Sequence, residues 1–102
     1  MRTLTFVSLL TALLAGSAFA GSLDVAKKHL AEGRFPAARD AAAAIAERDA
    51  AFARAQYLVG EISLLLGENT RAVEAYRKAL QAKPDSATLL TGLGRALVAD
   101  DE

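Results

Sequence analysis

The sequence contains no cysteine, only two prolines, and no excess of charge of either sign. Without cysteine, the chain has no disulfide, no thiolate chemistry and no zinc–sulfur site, although this does not locate the protein, because many exported domains also lack cysteine. The formal net charge is zero, so there is no basic footprint for nucleic acid. Abundant alanine and few β-branched residues favour an all-α protein.

The N-terminal segment 1–20, MRTLTFVSLLTALLAGSAFA, has the three parts of a cleavable secretory signal peptide. Arg2 supplies the positive n-region, residues 4–15 form the apolar h-region, and residues 18–20 read A-x-A, a cleavage site. The apolar part is shorter than the roughly 20 residues that span a membrane, which argues against the alternative interpretation, an uncleaved N-terminal anchor. We expect a mature chain from Gly21 that is periplasmic or secreted and meets the membrane only in transit.

Beyond the leader, small residues and turn residues recur at one fixed interval, which is the step from Gly33 to Gly67. The other sets that keep this step are Ala38 and Ala72, Gly60 and Gly94, then Val25, Val59 and Leu93, and finally Leu30, Leu64 and Val98. So many coincidences at one spacing in a chain this short indicate an internal structural repeat.

Apolar spacing and turn residues predict five helices, at about 23–32, 37–48, 50–66, 71–82 and 87–99. Gly33 and Gly67 should end helices by accepting a positive φ, and Pro36 lies near the first position of the second helix. Pro84 should end the fourth helix. The expected N-caps are Asp49, then Asn69 or Thr70, then Asp85 or Ser86. Residues 100–102 should form a frayed acidic tail.

The helical periods also predict apolar faces. The apolar positions of the third helix, at i, i+3 and i+4 spacings, are Phe52, Val59, Ile62, Leu65 and Leu66. The fourth helix should bury Ala72, Tyr76, Ala79 and Leu80 on one stripe. A glycine inside a helix costs about 1 kcal/mol relative to alanine, so a neighbouring group should need the space at Gly60. We expect Gly60 to lie opposite Tyr76, and Ala26 opposite Ile45, as pairs of small and large residues.

This pattern resembles the tetratricopeptide repeat, a pair of antiparallel helices that recurs every ~34 residues. With Ala53 at repeat position 1, the matching residues are Val59, Gly60, Ala72, Tyr76, Ala79 and Pro84. Two residues depart from the family pattern: Gln56 lies where the family prefers an aromatic residue, and Ser63 lies where it prefers tyrosine. The preceding repeat keeps Ala26, Gly33, Ala38 and Ile45 but has Ala42 and Ala50 in place of the aromatic and the proline. The following one keeps Leu90, Leu93, Gly94 and Leu97 and stops after one helix.

The resemblance implies an α-solenoid of antiparallel helix pairs, with about two repeats (21–52 and 53–86) and one capping helix (87–99). Stacked neighbours are needed to bury the apolar stripe of each pair. The fifth helix nevertheless has a broad apolar surface for a cap, formed by Leu89, Leu90, Leu93 and Leu97. A partner protein, a homo-oligomer formed through 87–99, and further repeats of a longer array all remain open as explanations.

No group of side chains in the sequence forms a recognisable catalytic or metal site. His29 is the only histidine, and we expect it to pack inside the repeat with one nitrogen satisfied. Gly92 and Gly94 follow no strand and do not form a phosphate loop, and no H-x-x-x-H pattern is present. We expect no enzymatic activity and no cofactor. A metal carrier or enzyme using His29 is the alternative.

The resemblance also implies that positions 2, 5, 9 and 12 of the first helix in each pair line a concave face. Their spacings place them on one side of a helix. These residues are Leu23, Lys27, Leu30, Arg54, Tyr57, Glu61, Leu64, Thr88, Thr91, Arg95 and Val98. An aromatic anchor, an aliphatic floor and interspersed charges suit an amphipathic helix or an extended peptide, with Tyr57 as the first candidate contact.

The predicted function is therefore that of a non-catalytic protein-binding adaptor or assembly factor of the cell envelope. A self-associating structural protein is the alternative from another class, as is the N-terminal part of a longer repeat array. If no partner binds, the concave positions are ordinary solvated helix residues.

Overall fold

The computed structural model describes residues 23–101, and the predicted signal peptide at 1–20 lies outside these described residues. Within the described range five helices and no strand are present. They are α1 (Leu23–Ala31), α2 (Phe35–Ala43), α3 (Phe52–Leu65), α4 (Asn69–Ala82) and α5 (Ala87–Asp101). The predicted all-α class is confirmed.

Each helix packs against the next along the chain, and α3 also contacts α5. The pairs α1–α2 and α3–α4 are the two predicted helix pairs, and α5 packs on the second pair. The predicted short α-solenoid is therefore confirmed. None of these five helices is both long enough and apolar enough to cross a membrane.

The glycines at the ends of α1 and α3 adopt the predicted left-handed conformation, with φ of 74° at Gly33 and 76° at Gly67. In both turns the amide after the glycine donates to a carbonyl near the end of the helix: Arg34 to His29 at 2.9 Å and Glu68 to Ser63 at 2.8 Å. This bond satisfies a carbonyl that the helix end leaves unpaired. The two turns, one repeat apart, thus have the same geometry.

The second helix is shorter than predicted, since α2 ends at Ala43 and residues 44–51 form turns. Alanine buries little area, so tertiary packing does not hold another turn of helix there. Ile45 lies beyond the helix end and is still buried. Asp49 does not cap α3: its Oδ1 accepts the Ala51 amide at 2.9 Å in the preceding turn, and α3 has no side-chain cap.

The predicted caps of α4 have a different role. Glu68 is its N-cap residue and no side chain caps the helix. Asn69 instead donates through Nδ2 to the Ala99 carbonyl at 3.1 Å, and the Thr70 hydroxyl donates to Asp100 at 2.9 Å. These bonds join the start of α4 to the C-terminal end of α5, which continues to Asp101, two residues beyond its predicted end.

Ser86 caps α5 as predicted, because its Oγ accepts the Leu89 amide at 3.3 Å. Leu65 and Leu66, two of the apolar positions noted for the third helix, are 71% and 38% exposed. They lie in the last turn of α3 and the residue after it, where the chain turns away at Gly67.

The core consists of two clusters along the stack. The first joins the two helix pairs and contains Ala26, Ala42, Ile45, Ala55, Val59 and Ala75. The second lies between α4 and α5 and contains Ala72, Val73, Tyr76, Ala79, Leu89 and Ala96. Ala26 and Ile45, the expected small and large pair, both belong to the first cluster and are buried. Tyr76 is the largest fully buried side chain in the described residues.

Candidate protein-binding surface

The ring of Tyr76, on α4, lies against glycine backbones of both α3 and α5. A Cβ atom built on Gly60 would be 2.7 Å from Cζ of this ring, and one built on Gly92 would also be 2.7 Å from it. The predicted pairing of Gly60 with Tyr76 is confirmed. The contact with Gly92 was not predicted. Gly92 also lies inside a helix, where glycine is unfavourable, and this could have indicated that a neighbouring group needs the space.

The Tyr76 hydroxyl is at the centre of a small polar cluster that joins α3, α4 and α5. It donates to Oε1 of Glu61, and Arg95 donates to the same oxygen at 2.6 Å. Burial, followed by this hydrogen bond to Glu61, raises the pKa of Tyr76 well above its usual range. The bond to Glu61 likewise raises the pKa of Arg95. Two predicted concave residues, Glu61 and Arg95, are thereby brought together.

Tyr57 stands beside this cluster and is half-buried. Its ring and that of Tyr76 have centroids 6.3 Å apart and an interplanar angle of 64°, an edge-to-face arrangement. Aromatic pairs favour this geometry because the positive ring edge faces the negative ring face. Tyr57 is therefore supported by a ring that is itself fixed between two helices.

A cavity of about 160 Å³ opens between α3 and the start of α5. It brings together Arg54, Tyr57 and Thr88, three predicted partner-binding residues from successive repeats. Ala53 and Leu89 add apolar wall, and Lys83 adds a second cation. Lys83 was not predicted for this surface, because the prediction used spacing along helices and Lys83 lies in the turn before α5. We call this the Tyr57 cavity.

The other predicted concave residues lie elsewhere. Thr91, Arg95 and Val98 line a shallow depression on α5, together with Gly94. Leu23 and Leu64 are half-buried and pack against the first and second core clusters. On α1, Lys27 is exposed and Leu30 is half-buried. Leu23 and Leu64 thus contribute to the core, although they also occupy positions predicted for the concave face.

Other polar groups of the described chain offer no comparable site. His29 is half-buried and its Nδ1 has no hydrogen-bond partner; the same holds for Oγ of Ser63, at the equivalent position of the next repeat. Within residues 23–101 no group of three or more His, Asp or Glu side chains is placed to hold a metal ion. A second cavity, of about 240 Å³, has Gln56 in its wall and a mixed charged lining that includes Glu74 and Lys78.

The repeat geometry agrees with a comparison against protein families. The tetratricopeptide repeat family model matches residues 23–87, which is more than half of the chain. The chain belongs to the tetratricopeptide repeat family. Repeats of this family generally mediate protein–protein interactions and are typically non-catalytic. Comparison with the curated proteins and with the solved structures gave no significant match.

Proposed function

We propose that this chain is a non-catalytic adaptor or assembly factor of the cell envelope that binds a protein through its concave face. The observation that supports the proposal best is the Tyr57 cavity. Two successive repeats contribute Arg54, Tyr57 and Thr88 to one opening at an aromatic wall. Such a feature, assembled across repeats, suits the docking of one partner segment.

The rigidity of the cavity wall also favours partner binding. Tyr57 packs edge-to-face on Tyr76, and Tyr76 is confined by Gly60 and Gly92. Binding loses affinity when flexible side chains must be ordered, and an anchor held in place before binding reduces that cost. Tyrosine is also among the residues enriched at the energetic centres of interfaces.

A photo-crosslinking amino acid at Thr88, in the Tyr57 cavity, tests the binding site. We expect a discrete cross-linked protein species in cells that express this variant. The same amino acid at Arg77, an exposed position of α4 that does not line the cavity, is the control. Cross-linking of the same species with equal yield from Arg77, or none from Thr88, would overturn the assignment of the concave face.

The envelope location is proposed from the leader pattern at 1–20. Fractionation of cells, followed by mass measurement of the purified chain, tests it. We expect the chain in an envelope or secreted fraction with Gly21 as its first residue. Retention of residues 1–20 on a chain in the cytoplasmic fraction would contradict this location and leave the binding proposal intact.

Self-association through α5 is a second candidate, which one comparison within the chain favours. Leu90 and Leu97 are 52% and 41% exposed, whereas Gln56 and Ser63, at the same positions one repeat earlier, are 6% and 0% exposed. The outward face of α5 thus lacks the cover that the matching face of α3 has. Gly94, between these leucines, has nothing within 4 Å of a built Cβ, although its repeat equivalent Gly60 faces Tyr76.

Sedimentation over a range of concentrations tests self-association. We expect the wild type to form a dimer that Leu97→Glu abolishes, because a carboxylate would be placed in the apolar contact. Leu65→Glu, which changes an exposed leucine on α3, is the matched control and should leave the dimer unchanged. A wild-type chain that stays monomeric at every concentration would exclude this candidate.

A further inference from the structure

We infer that the segment bound by this surface is acidic, and that it places one aliphatic side chain in the Tyr57 cavity between carboxylates that contact Arg54 and Lys83. The inference rests on the proposed function, because it names the chemistry of the partner for the same site. It is argued from the charge, the size and the lining of the cavity.

The charged side chains that line the cavity have one sign. Arg54 and Lys83 line it and are exposed, and within residues 23–101 neither has an ion-pair partner. The residues of the described chain that line the cavity include no carboxylate. Because the whole chain is neutral, this positive charge is a local property of the surface and not a consequence of composition. Complementary charge speeds association and excludes partners of the wrong sign.

The nearest acid of the concave set does not neutralise these cations. Glu61 already accepts hydrogen bonds from the Tyr76 hydroxyl and from Arg95 on the same oxygen, Oε1. On α1, Lys27 is a further exposed cation among the predicted concave residues. An approaching segment with carboxylates therefore meets unpaired positive groups, while a basic segment would meet groups of like charge.

The volume and the lining identify the central side chain. At about 160 Å³ the Tyr57 cavity is smaller than the roughly 300–1,000 Å³ of pockets that hold small-molecule ligands. It has room for one side chain. Ala53, Tyr57 and Leu89 form apolar wall, so an aliphatic side chain removes apolar surface from water on both partners. A peptide segment fits these features better than a cofactor does.

Peptide titrations with the full chain as purified test the inference. The probes are short fluorescent peptides with one central leucine flanked by glutamates, and matched peptides in which glutamine or lysine replaces every glutamate. We expect the glutamate peptide to bind at least about tenfold more tightly than the glutamine peptide, and the difference to shrink as salt is added. Equal or tighter binding of the glutamine or lysine peptide would overturn the inference. So would tighter binding of a single-stranded oligonucleotide.

Charge-reversal variants locate the effect. Arg54→Glu and Lys83→Glu should each weaken the glutamate peptide by about tenfold or more, which corresponds to about 1.4 kcal/mol. Arg77→Glu makes the same charge change on an exposed part of α4 away from the cavity and should leave the affinity unchanged. Circular dichroism confirms that each variant is folded. An equal loss in the Arg77 variant would show that only net charge matters and would overturn the inference.

The two proposals fail in different ways. If photo-crosslinking at Thr88 captures a protein whose contacting segment is basic or uncharged, the acidic-segment inference is wrong and the proposed function stands. If Thr88 yields no cross-linked protein, the proposed binding face is wrong. Mass spectrometry of the cross-linked peptide distinguishes these outcomes, because it identifies the residues of the partner beside Thr88.

Discussion

The ring of Tyr76 lies directly against the backbone of Gly92, so closely that a Cβ atom on this glycine would be 2.7 Å from Cζ of the ring. A Cβ atom on Gly60 would lie at the same distance from Cζ. Since Tyr76 is on α4 while the two glycines are on α5 and α3, this contact fixes three helices together. The same ring supports Tyr57, so the packing that holds the stack also positions the candidate anchor.

Alanine substitutions at two glycines of α5 should have opposite effects. Gly92→Ala should lower the free energy of unfolding by about 1–3 kcal/mol, because the new methyl group overlaps a fully buried ring. Gly94→Ala, at the next glycine of the same helix, meets nothing within 4 Å and should raise stability by up to about 1 kcal/mol through helix propensity. Urea denaturation of the three chains measures both changes. A stabilised Gly92→Ala variant would contradict the packing described for Tyr76.

Removal of the buried hydroxyl of Ser63 should stabilise the protein. Ser63 is fully buried and its Oγ has no hydrogen-bond partner, so the hydroxyl is desolvated without compensation. We expect Ser63→Ala to raise the free energy of unfolding by about 1 kcal/mol in a urea titration. Ser86→Ala makes the same chemical change at the residue that caps α5, and it should cost about 1 kcal/mol. A loss of stability in Ser63→Ala would show that this hydroxyl is satisfied.

The raised pKa of Tyr76 predicts a loss of stability in alkali. The pKa of Tyr76 is higher in the folded chain than in the unfolded chain, where it is about 10. The protonated hydroxyl therefore contributes its full stabilisation below about pH 10. This contribution is lost as the pH rises from about 10 through the folded pKa. Between about pH 10 and the folded value we expect the free energy of unfolding to fall with pH, at a slope below the limit of about 1.4 kcal/mol per pH unit for one proton. Denaturant midpoints at about pH 9 and about pH 11 measure it.

Tyr76→Phe is the control for this pH dependence, because it removes the titrating hydroxyl and keeps the ring. At neutral pH the variant should be less stable by about 1 kcal/mol, the usual net value of one hydrogen bond. Between about pH 9 and about pH 11 it should lose less stability than the wild type does. An identical alkaline loss in both chains would assign the effect to other groups, such as the lysines.

Much of the fold was predictable because it depends on local and periodic features. The repeat interval, the left-handed glycines at 33 and 67, and the small partner for Tyr76 at Gly60 all followed from sequence, and the structure confirms them. These features need only a helical period, a positive φ, or a small residue opposite a large one. Each leaves a mark on a single helix or turn.

The features that were missed depend on contacts between distant segments. The early end of α2 at Ala43 reflects how little area its alanines bury, and helix propensity alone favours a longer helix. Asn69 and Thr70 look like caps in sequence, but their partners are at the end of α5. Lys83 joins the Tyr57 cavity through the turn before α5. Spacing along one helix cannot predict such contacts.

Recovery of a bound protein by Tyr57→Ala, relative to wild type, tests the central claim most directly. Both chains would be purified under identical conditions from cells, with Leu65→Ala as the control because Leu65 is a large exposed side chain away from the cavity. If the concave face binds the partner, Tyr57→Ala should reduce recovery by about tenfold or more, as expected for an anchor worth at least about 1.4 kcal/mol. Leu65→Ala should recover it fully. Undiminished recovery by a folded Tyr57→Ala chain would contradict binding through this surface.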